Sequence, residues 1–157
     1  MIKLRKMTSE EYTEYRKFSV ANYADEKQKG EGLTPEEALK VAQDSYERLL
    51  PQGLETPDQF LFSVIEDATQ KPVGMLWFAK KSQSGKIYAF IYDVVLNPEK
   101  RGQGLGKHLI ALMEEEARAL GCKSVGLHVF GHNTAAIALY EKSGFHTTNR
   151  MMKKDFV

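Results

Sequence analysis

An α/β domain built around a mostly antiparallel sheet is the fold class this sequence predicts, and three observations carry it. Two segments with clear helix-start signals occupy the first third of the chain. Strand-like runs then succeed one another between residues 60 and 96. Beyond them helix and strand patterns alternate, which calls for a strand–helix–strand crossover late in the chain. The 157 residues suit one domain, so residues 1–157 are expected to form a single unit.

Residues 1–7 read as a short edge strand with Ile2 and Leu4 facing inward. Thr8 ahead of Ser9-Glu10-Glu11 starts a helix, with Thr8 as cap and Glu11 placed to close a capping box. Tyr12, Tyr15, Phe18 and Tyr23 supply its apolar side, and the charged residues 24–32 read as a flexible link. Thr34-Pro35-Glu36-Glu37 starts a second helix with a cap, a proline in the first turn and two acids at the positive end of the dipole. Leu39, Ala42, Tyr46 and Leu49 or Leu50 form its stripe, and Pro51-Gln52-Gly53 stops it.

Residues 60–65 and 73–79 read as strands, 82–86 as a hairpin loop, and 86–96 as a longer third strand. Simple alternation along that strand puts Ile87, Ala89, Ile91, Asp93 and Val95 on one face, and Tyr88, Phe90, Tyr92, Val94 and Leu96 on the other. Both faces are largely apolar, as in a central strand covered on both sides. Leu105, Leu109, Leu112, Met113, Ala117 and Leu120 then recur at helical spacing until Gly121. Residues 125–129 form a strand, Asn133 caps a last helix ended by Gly144, and residues 145–152 are expected as the final strand.

Composition narrows the function. Twenty-two Lys plus Arg against 21 Asp plus Glu leave a net charge of +1, which argues against a chain that coats nucleic acid. No apolar run is long enough to span a membrane, and the first residues lack the continuous apolar stretch of a signal peptide. Cytoplasm is therefore the expected compartment, with neither nucleic acid nor membrane as partner. Cys122 is the only cysteine, so no intramolecular disulfide or thiolate cluster can form, and no metal is expected. It reads as a structural thiol.

The segment from Tyr92 to Lys107 is the most informative. A central strand runs into Arg101, Gly102, Gly104 and Gly106 and then directly into a helix. Glycines let the backbone approach a ligand, and the unpaired amides opening the helix attract an anion. Arg101 and Lys107 add positive charge. The alternative is a tight turn that needs its glycines for geometry alone. A nucleotide-hydrolase phosphate loop is excluded, because Gly106-Lys107 is followed by His108 rather than by a hydroxyl for magnesium. A dinucleotide fingerprint is excluded by the spacing of its third glycine and by its late position.

Arg101-Gly102-Gln103-Gly104-Leu105-Gly106 resembles the acetyl-CoA signature, Arg/Gln-x-x-Gly-x-Gly/Ala, of the GCN5-related N-acetyltransferase family. Val94-x-Leu96-x-Pro98 is similar to that family's preceding strand. Asn133 to Phe145, with Ala136, Leu139, Tyr140 and Gly144, resembles its second signature, Asn-x-x-Ala-x-x-Leu-Tyr-x-x-x-Gly-Phe. The resemblance covers nearly the whole chain. It implies a single-domain acyl-CoA N-acyltransferase fold, a mixed and mostly antiparallel sheet flanked by helices with splayed central strands, and acetyl-CoA as cosubstrate.

Residue by residue, the resemblance implies that the amides of Gly102, Gln103, Gly104, Leu105, Gly106 and Lys107 hold the pyrophosphate beside Arg101. Main-chain groups of Val94 and Leu96 would pair with the pantetheine arm, and an amide at Val94 or Val95 would face the thioester carbonyl. Asn133 resembles the residue contacting the pantetheine or a water, while its independent reading is a plain N-cap. Tyr140 resembles the acid that protonates the departing thiolate, as a phenol protonated at neutral pH can; without the motif it would read as a core-facing aromatic. His128 is the first candidate for base or water-positioner, and Asp93 is a relay, an amine-binding carboxylate or a structural group. Two departures matter: His128 stands where N-terminal acetyltransferases carry glutamate, and Phe90 stands where histone-acetylating members do. Glu66 reads as a solvated acid.

The acceptor, a small-molecule or peptide amine, is expected to sit among the first two helices, their link, and the strand ends facing them, near Tyr23 and Tyr46. Rival readings are a non-catalytic coenzyme A sensor of the same fold and a small RNA- or protein-binding domain whose glycine loop is only a turn. The short final strand and the helical surfaces leave room for a homodimer.

Overall fold

A computed structural model describes all of residues 1–157. Strand β1 (Ile2–Lys6) is followed by helices α1 (Ser9–Glu31) and α2 (Pro35–Leu49), then by β2 (Gln59–Glu66), β3 (Pro72–Gln83) and β4 (Lys86–Leu96). Helix α3 (Leu105–Ala119), β5 (Val125–Leu127) and α4 (Thr134–Lys142) complete the order. The sheet runs β1-β2-β3-β4-β5, antiparallel throughout except for the parallel β4–β5 pair spanned by α3.

Both capping boxes form. The Glu11 amide donates to Thr8 Oγ1 at 3.2 Å while the Thr8 amide donates to Glu11 Oε1 at 2.9 Å, and Thr34 and Glu37 repeat the arrangement in α2. The link expected at 24–32 is instead the last two turns of α1. Lys29–Asp25 and Lys27–Glu31 pairs at i,i+4 spacing hold that stretch at 3.0 and 2.7 Å, and Ala24 is buried against Ala38 and Ala42 of α2. The chain turns only at Gly32, with φ 66°.

The sheet is covered on both sides. On one, Ile110, Met113 and Ala117 of α3 pack on Phe62, Leu76, Phe78, Ala89 and Ile91, while Leu109 joins Ile2, Val64 and Val73. On the other, Tyr46 and Leu50 meet Met7, Leu61, Met75 and Trp77, with Tyr12, Tyr15 and Tyr23 of α1 alongside. Burial of these aliphatic and aromatic side chains is the main stabilising term.

Strand β4 departs from simple alternation. Phe78 pairs with Ile91 but Trp77 pairs with Asp93, so Tyr92 is an extra residue in a β-bulge. The bulge flips the strand's second half. Val94 now packs on the α3 side with Ala89 and Ile91, while Tyr92 and Val95 pack on the side of α1 and α2. Asp93, cross-strand from Trp77, also faces α1, so the expected grouping of Asp93 and Val95 with Ile91 is corrected.

The chain's end differs as well. Strand β5 stops at Leu127, two residues short of the expected span, and the strand expected at 145–152 does not form. The Phe145 amide donates to Tyr140 O at 3.0 Å, and no backbone group beyond it is paired with another. Strand geometry needs a neighbouring ladder, and this tail has none.

Candidate active site

Past β4 the chain makes a short 3-10 turn at Pro98–Lys100. Three side-chain contacts fix this turn: Arg101 Nε donates to Leu96 O at 3.0 Å, Gln103 Nε2 donates to Glu99 O at 3.0 Å, and Lys100 Nζ meets Glu66 Oε1 at 2.5 Å. Glu66 is thus a structural tether, and Lys100 beside it pulls its carboxyl below the ordinary range. Gly102 and Gly104 adopt φ of 74° and 78°, the left-handed region that side chains disfavour. Gly106 serves another purpose. A Cβ there would stand 3.0 Å from Leu139 Cδ2, so this glycine lets α3 approach α4 and joins the two signature segments by packing.

None of the amides from Gly102 to Lys107 donates to another backbone group, and no side chain caps α3. They form a row of free donors at the positive end of a helix, with exposed Arg101 and Lys107 at its edges. Such a cradle suits a pyrophosphate.

The adjoining edge of β4 is open. β5 pairs with β4 only from Ala89 to Ile91, so Tyr92 to Leu96 have β3 on one side and no strand on the other. The Asn97 amide bonds Val73 O at 2.8 Å, which by antiparallel alternation turns Val95 towards β3 and Val94 and Leu96 towards the open edge. The Val95 carbonyl accordingly lies against Gly74 of β3. Between the two amides considered for the thioester carbonyl, Val94 is the one that faces the gap.

Asp93 ends a hydrogen-bonded chain from the helices. Tyr15 OH donates to Asp93 Oδ2 at 2.8 Å, Ser19 Oγ donates to Tyr15 OH at 3.1 Å, and Ser19 also bonds Tyr46 OH. Burial nonetheless pushes the Asp93 carboxyl up from its ordinary range, partly opposed by Tyr15 and the Val94 amide; the charge of Glu26 raises it further. A small cavity of about 80 Å³ opens beside it, lined by Tyr23, Glu26, Tyr46, Tyr92 and Asp93 together with Ser19 and Asn22. A larger hollow of about 520 Å³ between the outer sides of α1 and α2 contains Arg16, Lys17 and Glu47. It shares no residue with the glycine turn or the open edge, whereas the smaller cavity borders that edge through Tyr92 and Asp93.

Tyr140 stands half-buried on α4, packed on the α3 side of the sheet with Phe145 edge-on at 5.6 Å. Burial raises its phenol above the ordinary value, and the Asp93 carboxylate adds to that rise. His128 lies just beyond β5 where the strands diverge; it is exposed, without a hydrogen-bond partner, and edge-on to Phe130 at 5.0 Å. Asn133 is the N-cap of α4, its Oδ1 accepting from the Ala136 amide at 3.3 Å. Phe90 carries Lys81 over its ring at 4.9 Å. Cys122 is buried, and burial raises its thiol.

Sequence reasoning missed Tyr15 and Ser19 as partners of Asp93. Ser19 four residues after Tyr15 was the available signal: a small polar residue on the apolar side of a helix needs a buried partner.

The match of residues 12–145 to the model of the acetyltransferase (GNAT) family spans both glycine turn and α4. The chain belongs to that family. This GNAT chain is 37% identical over 153 residues to the uncharacterized N-acetyltransferase YycN of Bacillus subtilis (strain 168), covering 98% of this chain and 97% of the relative. It is 33% identical over 151 residues to YdgE of the same organism, covering 96% of each. The crystal structure of YycN superposes with a TM-score of 0.91 at 36% identity, over 100% of this chain and 99% of the other. An aminoglycoside antibiotic 6'-N-acetyltransferase from Acinetobacter baumannii shares the fold at 22% identity and a TM-score of 0.55, over 73% of this chain and 82% of the other. No helix of this GNAT domain is long and apolar enough to cross a membrane.

Proposed function

We propose that this protein transfers the acetyl group of acetyl-CoA directly to a primary amine held in the cavity beside Asp93. The observation that carries the reading is the open edge of β4. It lies between an amide cradle suited to a pyrophosphate and a pair of groups, Asp93 and Tyr140, suited to moving protons. Family membership supports acetyl-CoA as the donor.

In this reading the amides of residues 102–107 and Arg101 bind the diphosphate, and Val94 and Leu96 pair with the pantetheine arm as a strand would. The acceptor enters as a cation, drawn by Glu26 and Asp93 and flanked by the tyrosine rings. It must shed a proton before its nitrogen lone pair can attack. Asp93 takes that proton. Tyr15 fixes the carboxylate's orientation, and the raised proton affinity of Asp93 suits a base better than an ordinary surface aspartate. His128, exposed and unpartnered, lacks such positioning.

The nitrogen then forms a bond to the thioester carbon, and the Val94 amide faces the oxygen on which negative charge develops. Collapse breaks the carbon–sulfur bond, and Tyr140 gives its phenolic proton to the departing thiolate. Burial keeps that phenol protonated at working pH. The nitrogen, still carrying one proton too many after the attack, releases it and so replaces the one Tyr140 donated; the tally is one acetamide, one thiol, and the amine's first proton returned to solvent through Asp93.

A panel of primary amines assayed for thiol release from acetyl-CoA tests the reading. Turnover with cationic amines is expected. Acetyl-CoA binding without turnover on any amine would favour a coenzyme A sensor instead, and absence of binding would overturn the reading.

A further inference from the structure

Along β4 the features beside Asp93 extend in two directions. Val94 and Leu96 lie towards the glycine turn, and Phe90 lies the other way, towards the hairpin that joins β3 to β4. Phe90 and Tyr92 meet edge to face with ring centroids 5.0 Å apart, and Trp77 stacks on Tyr92 at 4.6 Å. Lys81 of β3 holds its ammonium over both rings of the first pair, 4.9 Å from the Phe90 centroid and 5.1 Å from that of Tyr92. Tyr92 is also a wall of the cavity that contains Glu26 and Asp93. One aromatic ring therefore borders two carboxylates and a cation.

The charges at the two ends lack counter-charges. Lys81 is half-buried and has no carboxylate within ion-pair distance. The ring faces compensate its charge only in part, and an anion in hydrogen-bond contact would do so more fully. In the cavity, Asp93 is held by the Tyr15 hydroxyl, and neither Asp93 nor Glu26 has a basic partner. An acceptor with a single cationic amine leaves Lys81 unused. One with a second cation at that end is repelled by it. An amine that also carries an anionic group matches both ends.

We propose that the acceptor is such a dipolar molecule, an amine bearing a carboxylate or phosphate group, and that Lys81 selects it. The inference rests on the acetyl transfer proposed above. The reacting amine lies between Glu26 and Asp93, the body of the acceptor crosses the Tyr92 ring, and the anionic group pairs with the Lys81 ammonium. Lys81 and Phe90 stand on the opposite side of Asp93 from the glycine turn, so the anionic group does not compete with the diphosphate of the cosubstrate for the amide cradle. Lys81 is then a specificity-determining residue. It acts on a group that does not react, and its contribution goes into holding the amine at the gap.

Matched acceptors test this with the full chain: ω-amino acids of increasing length, their carboxamides, and aminoalkyl phosphates of the same lengths, each assayed for thiol release from acetyl-CoA. At the best length an anionic member should exceed its carboxamide in kcat/KM by roughly 10- to 100-fold, mostly through KM, as a charge-assisted hydrogen bond provides. The better of the carboxylate and phosphate series identifies the group. Lys81→Met keeps an unbranched stem over the rings and should remove the preference, Lys81→Glu should invert it, and Lys81→Arg should retain it; circular dichroism checks that each variant is folded. Equal turnover of anionic and neutral members by the unsubstituted protein overturns the proposal and leaves acetyl transfer standing. A preference that survives in Lys81→Met overturns it as well. Acetyl-CoA binding with no turnover on any member overturns both this inference and the transfer reading on which it rests.

Discussion

The two halves of β4 are one continuous strand with opposite jobs. From Lys86 to Ile91 the strand is laddered to β3, has β5 beside it from Ala89, and buries Ala89 and Ile91 in the α3-side core. From Tyr92 to Leu96 it keeps only β3, carries a buried-side carboxylate, and opens an edge to the gap. The bulge at Tyr92 separates the two. An extra residue there turns Tyr92 and Asp93 both towards α1 and α2, where a regular strand would send Asp93 into the α3-side core. The lesson is that a single inserted residue can convert a core strand into the wall of a cavity without interrupting it.

The comparison is broken most severely at Tyr140, the acid of the proposed reaction. Tyr140→Phe should lower kcat by roughly 10²- to 10⁴-fold with the KM for acetyl-CoA little changed, as expected when a general acid is removed; steady-state thiol release measures it. The first half should respond in the opposite manner. Ile91→Ala is expected to cost about 2–5 kcal/mol of stability in chemical denaturation, because it leaves a cavity in the core. The kcat of the folded fraction should hardly change.

Asp93→Asn should separate activity from stability. In the fold its carboxyl binds a proton more tightly than the ordinary value of 3.8 allows. The folded state therefore loses stability as pH rises from the unfolded value through the folded one, and the deficit persists above both. Removing the charge is expected to raise the melting temperature at neutral pH while kcat/KM falls by about 10²-fold, the lower end of a general base's contribution. Thermal unfolding and kinetics on the same preparation check the two signs. The smallest effect is expected from Tyr15→Phe. Its hydroxyl favours the carboxylate form of Asp93, so its loss should move the acid limb of the kcat/KM profile to higher pH. An unmoved limb would remove Asp93 from the base role.

Much of this architecture is legible in the sequence, for identifiable physical reasons. Capping boxes at Thr8 and Thr34 are local signals, and the glycine turn announces itself because its φ angles exclude other residues. Three features are not local. The helical end of α1 depends on i,i+4 ion pairs and on Ala24 meeting α2, so its charged composition reads as a link. The bulge at Tyr92 depends on register with β3, which no pattern within β4 records, and so simple alternation puts Asp93 on the wrong face. The final strand fails because strand propensity without a ladder partner forms nothing. Of the candidate site, the glycine turn before α3 and the lone charge of Asp93 in an apolar strand are readable as local signals, while Tyr140 and His128 are singled out only through the resemblance and their place in the chain. Tyr15 and Ser19 emerge only once α1 packs on β4, 78 residues separating Tyr15 from Asp93.

Hydrogen exchange with and without acetyl-CoA tests the division of β4 most directly. Bound acetyl-CoA should slow exchange at the amides of residues 102–107 and at Val94 and Leu96, and leave those of residues 86–91 as they were. Protection confined to other parts of the molecule, or none at saturating acetyl-CoA, would contradict the assignment of the open edge as the place of reaction.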